Sequence, residues 1–182
     1  MPGDVRLDGQ VAVVTGGGRG IGRGAALELA RAGAAVVVVA RSEDEIAGTA
    51  TKIRREGGRA LAVAADVTDW AAMEAVALQT TQVYGPADIV VANAGVLEPV
   101  GDTWEVAPDD WARNVAVNLT GAFHAARAFM PAMVARGSGW LIFVSSGAAT
   151  HPVAGWSAYC AAKAGLDHFM RNLAAEVDDL GL

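Results

Sequence analysis

Five runs of apolar residues, at 11–15, 35–40, 60–64, 88–92 and 140–145, recur along the chain. Each reads as nearly continuous Val, Ile, Leu and Ala rather than as alternating apolar and polar positions, the pattern of strands covered on both faces. The segments between them repeat their apolar positions every three or four residues, as amphipathic helices do. Helix starts and stops are marked. Gly33 closes a helix over 21–32, and Ser42 with Glu45 three places on forms a capping box for a helix that ends at Gly57-Gly58. Thr68 or Asp69 caps the next, which runs towards Tyr84 before Gly85-Pro86. A long helix spans about 108–136 with Pro108 in its first turn, and a last one spans about 157–178. This alternation predicts an α/β fold, a doubly wound parallel sheet with helices on both faces. No repeat, low-complexity tract or linker interrupts it, so residues 1–182 read as a single domain.

Composition narrows the class. With 53% hydrophobic and 19% charged residues over 182 positions, the chain has enough apolar material for a core, which excludes disorder. No apolar run approaches the ~18 residues that span a bilayer. Met1-Pro2-Gly3-Asp4 carries neither a basic start nor an apolar run, so no secretory signal is read there. The single cysteine, Cys160, excludes an internal disulfide and suits a reducing, cytoplasmic setting. Lys and Arg total 14 against 20 Asp and Glu, a net charge of −6 that weighs against a nucleic-acid surface. His124, His151 and His168 are too scattered for a zinc site, and no metal is expected.

The first apolar run leads into Thr15-Gly16-Gly17-Gly18-Arg19-Gly20-Ile21-Gly22, where a helix begins. A diphosphate needs close backbone approach at a helix N-terminus, where free N–H groups and the helix dipole favour negative charge. Side chains at Gly16, Gly20 or Gly22 would block that approach or hold the helix off the sheet. Gly17 and Gly22 have P-loop spacing, but Arg23-Gly24 follows where Lys-Ser/Thr is required. Gly20-x-Gly22-x-x-Ala25 matches the general dinucleotide pattern; its plain alternative is a tight turn alone.

Tyr159 and Lys163 stand four apart on the last helix and so share a face. An ammonium near a phenol favours the phenolate, which suits acid/base work on a substrate oxygen. Ser146 ends the fifth run, at the sheet edge where ligands of such folds bind. Singly, each residue has a plain alternative: an amphipathic helix position, a solvated charge, a turn serine. Cys160 reads as a small helix residue rather than a nucleophile.

Taken in order, Thr15-Gly-x-x-x-Gly-Ile-Gly22, Ala92-Asn93-Ala94-Gly95, Asn118-Leu-Thr-Gly121, Ser145-Ser146 and Tyr159-Cys-Ala-Ala-Lys163 form an array. The array resembles the single-domain short-chain dehydrogenase/reductase family, of the 3-oxoacyl-carrier-protein reductase-like kind, from about Gly9 to the end. The resemblance implies a Rossmann-like fold and an oxidoreductase that interconverts a carbonyl and a secondary alcohol. It implies Tyr159 as general acid/base, Lys163 as the cation that supports it and holds the nicotinamide ribose, and Ser146 as the group bonded to the substrate oxygen. Asn118 would anchor a proton-relaying water. Gly16, Arg19, Gly20, Ile21, Gly22, Asn93, Ala94 and Gly95 would line the cofactor, with Asp66 and Val67 at the adenine. The resemblance also implies a homodimer or homotetramer built on the long helix and the Tyr-Lys helix. The alanine face Ala122, Ala125 and Ala126 fits either that contact or core burial.

An acid at the end of the second strand would select NAD. This chain has Val39-Ala40-Arg41-Ser42 there, and Arg19 lies in the glycine turn. Two guanidiniums suit a 2′-phosphate, so NADP is expected over NAD, the alternative being two solvated surface arginines. The stretch at 147–156, apolar but for His151, suggests an uncharged substrate, and Trp104 and Trp111 are expected to pack near the start of the long helix. The sequence stops at Leu182, short of the last strands and the substrate-covering segment usual in the family, which leaves the fifth strand as an expected sheet edge. A second expectation follows: a non-catalytic nucleotide-binding domain, or an incomplete fragment of such an enzyme.

Overall fold

The computed structural model describes residues 6–180; Met1 to Asp4, read above for a leader, and Leu182 lie outside them. The strands are β1 (Val11–Thr15), β2 (Ala35–Ala40), β3 (Arg59–Ala64), β4 (Ile89–Ala92) and β5 (Trp140–Phe143). The helices are α1 (Gly20–Arg31), α2 (Glu43–Arg55), α3 (Trp70–Tyr84), α4 (Pro108–Val115), α5 (Gly121–Arg136) and α6 (Ser157–Val177). The strands pair in parallel in the order β3-β2-β1-β4-β5. The chain winds outward from β1 to β3, then returns to build β4 and β5 on the other side. That reversal opens a crevice above the carboxyl ends of β1 and β4, where ligands of doubly wound sheets bind.

The continuous apolar runs have a simple cause: both faces are covered. Val13, Val37 and Val90 face one layer with Met73 and Val76 of α3, Ala125, Phe129 and Met133 of α5 and Leu166 of α6. Ala12, Val14, Val36 and Val38 face the other with Ala26 of α1 and Ile46, Ala50 and Ile53 of α2. Each fully buried valine contributes roughly 1.5–3 kcal/mol relative to exposure. The alanine face Ala122, Ala125 and Ala126 is buried within the chain, so core packing accounts for it. Among the described residues no helix is long and apolar enough to cross a membrane.

Several expectations need correction. The fifth strand stops at Phe143 rather than 145; as expected it lies at an edge of the described sheet, opposite β3, with Trp140 and Ile142 exposed. Asp88 sits outside β4, where its carboxylate accepts from Val11 N at 2.8 Å and pairs with Arg136 at 3.2 Å. Trp104 does not pack near the start of the long helix; it is 82% exposed. The helix expected over 108–136 is broken by a wide π turn at Ala116–Thr120 between α4 and α5. The cause is Asn118, whose side-chain amide donates to Asn114 O at 3.0 Å and so takes the carbonyl one turn back. A side chain inserted into that ladder widens the turn.

Candidate active site and dinucleotide cleft

The glycine turn after β1 is locked by the side chains of Thr15, at the end of β1, and Asn93, just past β4. Thr15 Oγ1 accepts from Asn93 N at 3.0 Å and Ala94 N at 3.1 Å. The Asn93 amide donates to Thr15 O at 2.9 Å and Gly16 O at 3.2 Å. A Cβ at Gly16 would meet Ala94 Cα at 2.9 Å, and one at Gly22 would lie 2.3 Å from Asn93 Nδ2 and 2.4 Å from Gly16 O. Glycine at these two positions lets α1 start against the strand ends. Gly20 differs: its φ is +54° and a Cβ there would meet nothing, because the space beside it is the open cleft. Gly17, weighed in the sequence only for a P-loop, and Gly18, unmarked there, are held as tightly: a Cβ would meet Val38 Cγ1 at the first and Glu45 Cβ at the second, each at 2.7 Å.

A cleft of about 590 Å³ runs along this turn, lined by Arg19, Gly20, Ile21, Arg41, Asp66 and Asn93 among others. Ala94, Gly95 and Val67 also line it. At its outer rim Arg41 Nη1 faces Asp66 Oδ2 at 3.8 Å, both partly exposed. Burial would raise the Asp66 carboxyl, but hydrogen bonds from the Thr68 N–H and hydroxyl, and the charges of Arg41 and Arg113, hold it below the usual carboxylate value. Glu45, read only as half of a capping box, proves to line the cleft as well. Ser42 Oγ accepts from Glu45 N at 3.4 Å, while the Glu45 side chain lies over Gly18. A helix-cap signal occupied this residue in the sequence, and only the folding of α2 onto the glycine turn reveals its second surrounding. The cradle of free backbone, the helix start and the cations at the rim fit a dinucleotide.

The Tyr/Lys helix is built differently. Lys163 is 4% exposed, not the solvated charge that its plain reading offered. Its Nζ donates to Val144 O at 2.7 Å and stands 5.7 Å from the Tyr159 ring centroid. Burial pushes the Lys163 ammonium below the usual lysine value, and Asp167 pulls it part of the way back. Tyr159 is braced edge-on by Trp156, ring centroids 6.0 Å apart. Ser146 Oγ accepts from Ala148 N at 3.2 Å, which leaves its O–H free to donate. The neighbouring Ser145 turns instead to Asp167 on α6.

Asn118 is 1% exposed and its side chain is fully engaged. Nδ2 donates to Val96 O at 2.8 Å and Asn114 Oδ1 at 2.9 Å, and Oδ1 accepts from Val96 N at 3.2 Å. A Cβ at Gly95 would lie 2.8 Å from Asn118 Oδ1, so two of the quoted motifs interlock. Asn114, unmarked in the sequence, is fully buried and donates to the carbonyls of Val96, Leu97 and Glu98. The structure therefore joins Tyr159 to Lys163 and Asn118 to Gly95, but Gly22, Asn118, Ser146, Tyr159 and Lys163 are not among the residues lining the cleft.

A doubly wound sheet with a glycine turn at its switch point is the architecture of a dinucleotide-binding domain, and here a Tyr/Lys helix lies beside it. The family model described as short chain dehydrogenase matches residues 10–182. The chain is 37% identical over 179 residues to a short chain dehydrogenase of Pseudocercospora fijiensis, covering 97% of this chain and 58% of that protein. It is 40% identical over 173 residues to galactitol 2-dehydrogenase of Rhizobium johnstonii, covering 94% and 67%. Among solved structures, a metagenomic short-chain oxidoreductase in complex with NADP matches with a TM-score of 0.92 and 39% identity, covering 96% of this chain and 79% of that one. The chain belongs to the short-chain dehydrogenase family, and it spans less than two thirds of the length of the first of these relatives.

Proposed function

We propose that the chain is the cofactor-binding and proton-transfer part of an NADP(H)-dependent oxidoreductase that interconverts a carbonyl and a secondary alcohol. The observation that carries the reading is the buried Lys163 ammonium set against the Tyr159 ring, since a pure binding module needs no phenol paired with that cation. The backbone of Gly16, Gly20, Ile21 and Gly22 would hold the diphosphate, Asn93 to Gly95 the dinucleotide's inner side, and Asp66 and Val67 the adenine. Arg19 and Arg41 would take a 2′-phosphate, and the NADP bound by the metagenomic relative supports that choice.

Bound NADPH would supply the hydride that reaches the carbonyl carbon. Tyr159 would pass its phenolic proton to the carbonyl oxygen, which Ser146 holds through its free O–H. Lys163 would stabilise the phenolate left behind and hold the ribose. Asn118, its side chain committed to Val96 and Asn114, would keep the relay side of the pocket in shape. An uncharged small-molecule substrate suits the apolar stretch before Tyr159. The family's assembly, a homodimer or homotetramer, is checked by light scattering.

A second reading, a nucleotide-binding unit that does not turn substrate over by itself, is favoured by one observation: Ser146, Tyr159 and Lys163 do not line the cleft. One measurement separates the two. NADPH oxidation with a panel of ketones is compared between the chain and Tyr159→Phe. Turnover that falls by roughly 10²–10⁴-fold in the variant supports the enzyme; tight NADPH binding without turnover in both supports the binding unit.

A further inference from the structure

Lys163 is buried, and its ammonium donates to an uncharged partner, the carbonyl of Val144. A cation in such a place is costly unless an anion faces it. Helix α6 supplies one by spacing alone. Asp167 stands one turn beyond Lys163 as Tyr159 stands one turn before it, so all three share a helix face. The Asp167 carboxylate accepts from the hydroxyl of Ser145 at 2.5 Å, and Ser145 follows Val144 directly. Two successive residues leaving β5 therefore grip two successive turns of α6.

Other charges near this seam are accounted for. Of the elements packed on α6, α4 carries Asp109, Asp110 and Arg113, α5, whose Phe123 meets Phe169, carries His124, Arg127 and Arg136, the turn at the C-terminus of α6 carries Asp178 and Asp179, and Ala116–Thr120 and Gly147–Ala149 carry no titratable side chain. His151 is exposed and bonded within its own loop. On α6 itself lie Tyr159, Cys160, His168, Arg171 and Glu176. Asp167 is the charge that bears on Lys163, opposing the effect of burial.

We propose that Asp167 is a positioning residue for Lys163: gripped by Ser145, its carboxylate keeps the buried lysine a cation and holds α6 in register with the end of β5. The inference rests on the reading of Lys163 as the cation that serves Tyr159, but its test does not need turnover. The chain holds two lysines, Lys52 and Lys163. Lysine labelled with carbon-13 at Cε therefore gives two NMR signals, one from Lys163 and one from an exposed reference.

Asp167→Asn keeps an oxygen for Ser145 to donate to and removes only the charge. The Lys163 titration midpoint then moves to lower pH, by more than any drift of Lys52. Asp167→Glu restores it, and Ser145→Ala, which loosens the carboxylate without removing it, moves it the same way by less. A Lys163 midpoint unchanged in a natively folded Asp167→Asn chain overturns the proposal. If that variant does not fold, equal midpoints in the wild type and Ser145→Ala overturn it. Absent turnover in the wild type would sink the enzymatic reading alone, because the lysine titration is read without substrate or cofactor.

Discussion

The two ends of the site are made of different material. The phosphate end is backbone: glycines packed so closely against Asn93 and Ala94 that a Cβ at Gly16 or Gly22 has no room, with charges only at its solvent rim. The Tyr/Lys end is side chain: Lys163, Asn118 and Asn114 are almost wholly buried, and each is held by hydrogen bonds to main chain. The difference suits the work proposed for each end. A diphosphate is bound by shape and by N–H groups that need no tuning. Proton transfer needs a field, and a field is strong only where water is excluded. Arg41 and Asp66, half in solvent at 3.8 Å, belong to the screened regime worth about 0–1 kcal/mol. Lys163 belongs to the other.

The sharpest separation of the two ends is expected from Tyr159→Phe. Turnover falls roughly 10²–10⁴-fold while NADPH affinity, read by titration calorimetry, stays as it was. A parallel loss of affinity would mean that Tyr159, like Lys163, also holds the cofactor, and would narrow the contrast. Gly22→Ala acts on the opposite end. Its Cβ would intrude on Asn93 and Gly16, and the chain loses about 1–3 kcal/mol of stability in denaturant melts together with nucleotide affinity. An unchanged melt would show that the turn yields more easily than its contacts imply.

Arg41→Ala should raise the NADP Michaelis constant far more than the NAD constant. A charge-assisted contact of roughly 1.5–3 kcal/mol sets the upper bound, reduced here by solvent screening at the rim. Equal changes for both cofactors would show that Arg41 does not read the 2′-phosphate. The smallest effect is in stability against pH for Lys163→Met. Burial holds the folded-state lysine below its unfolded value, so between the two the unfolded chain binds more protons and stability rises with pH. The wild-type melting temperature therefore gains on that of Lys163→Met as pH climbs towards the free lysine value of about 10.4. A constant gap across that range would place the ammonium in water.

Much of this was legible before any coordinates. Strands covered on both faces announce themselves as unbroken Val and Ala, because neither face may be polar, and β1 and β2 came out at their expected bounds. The glycine turn was legible because its requirement is local: no side chain fits where α1 meets the strand ends. Tyr159 and Lys163 were legible because four residues is one helical turn. The wide turn at Ala116–Thr120 was not, since it arises from an Asn118 amide competing for a carbonyl and leaves the apolar phase nearly intact. Glu45 over Gly18 and Ser145 on Asp167 were equally hidden, for each joins elements far apart in the chain.

Local chemistry and periodicity thus determined the elements, the parallel sheet and the family's motif array. The tertiary structure decided which polar side chains are dry. Burial depends on every layer that closes over a residue, and for Lys163 it turned an ordinary helix-surface lysine into a desolvated cation held against β5.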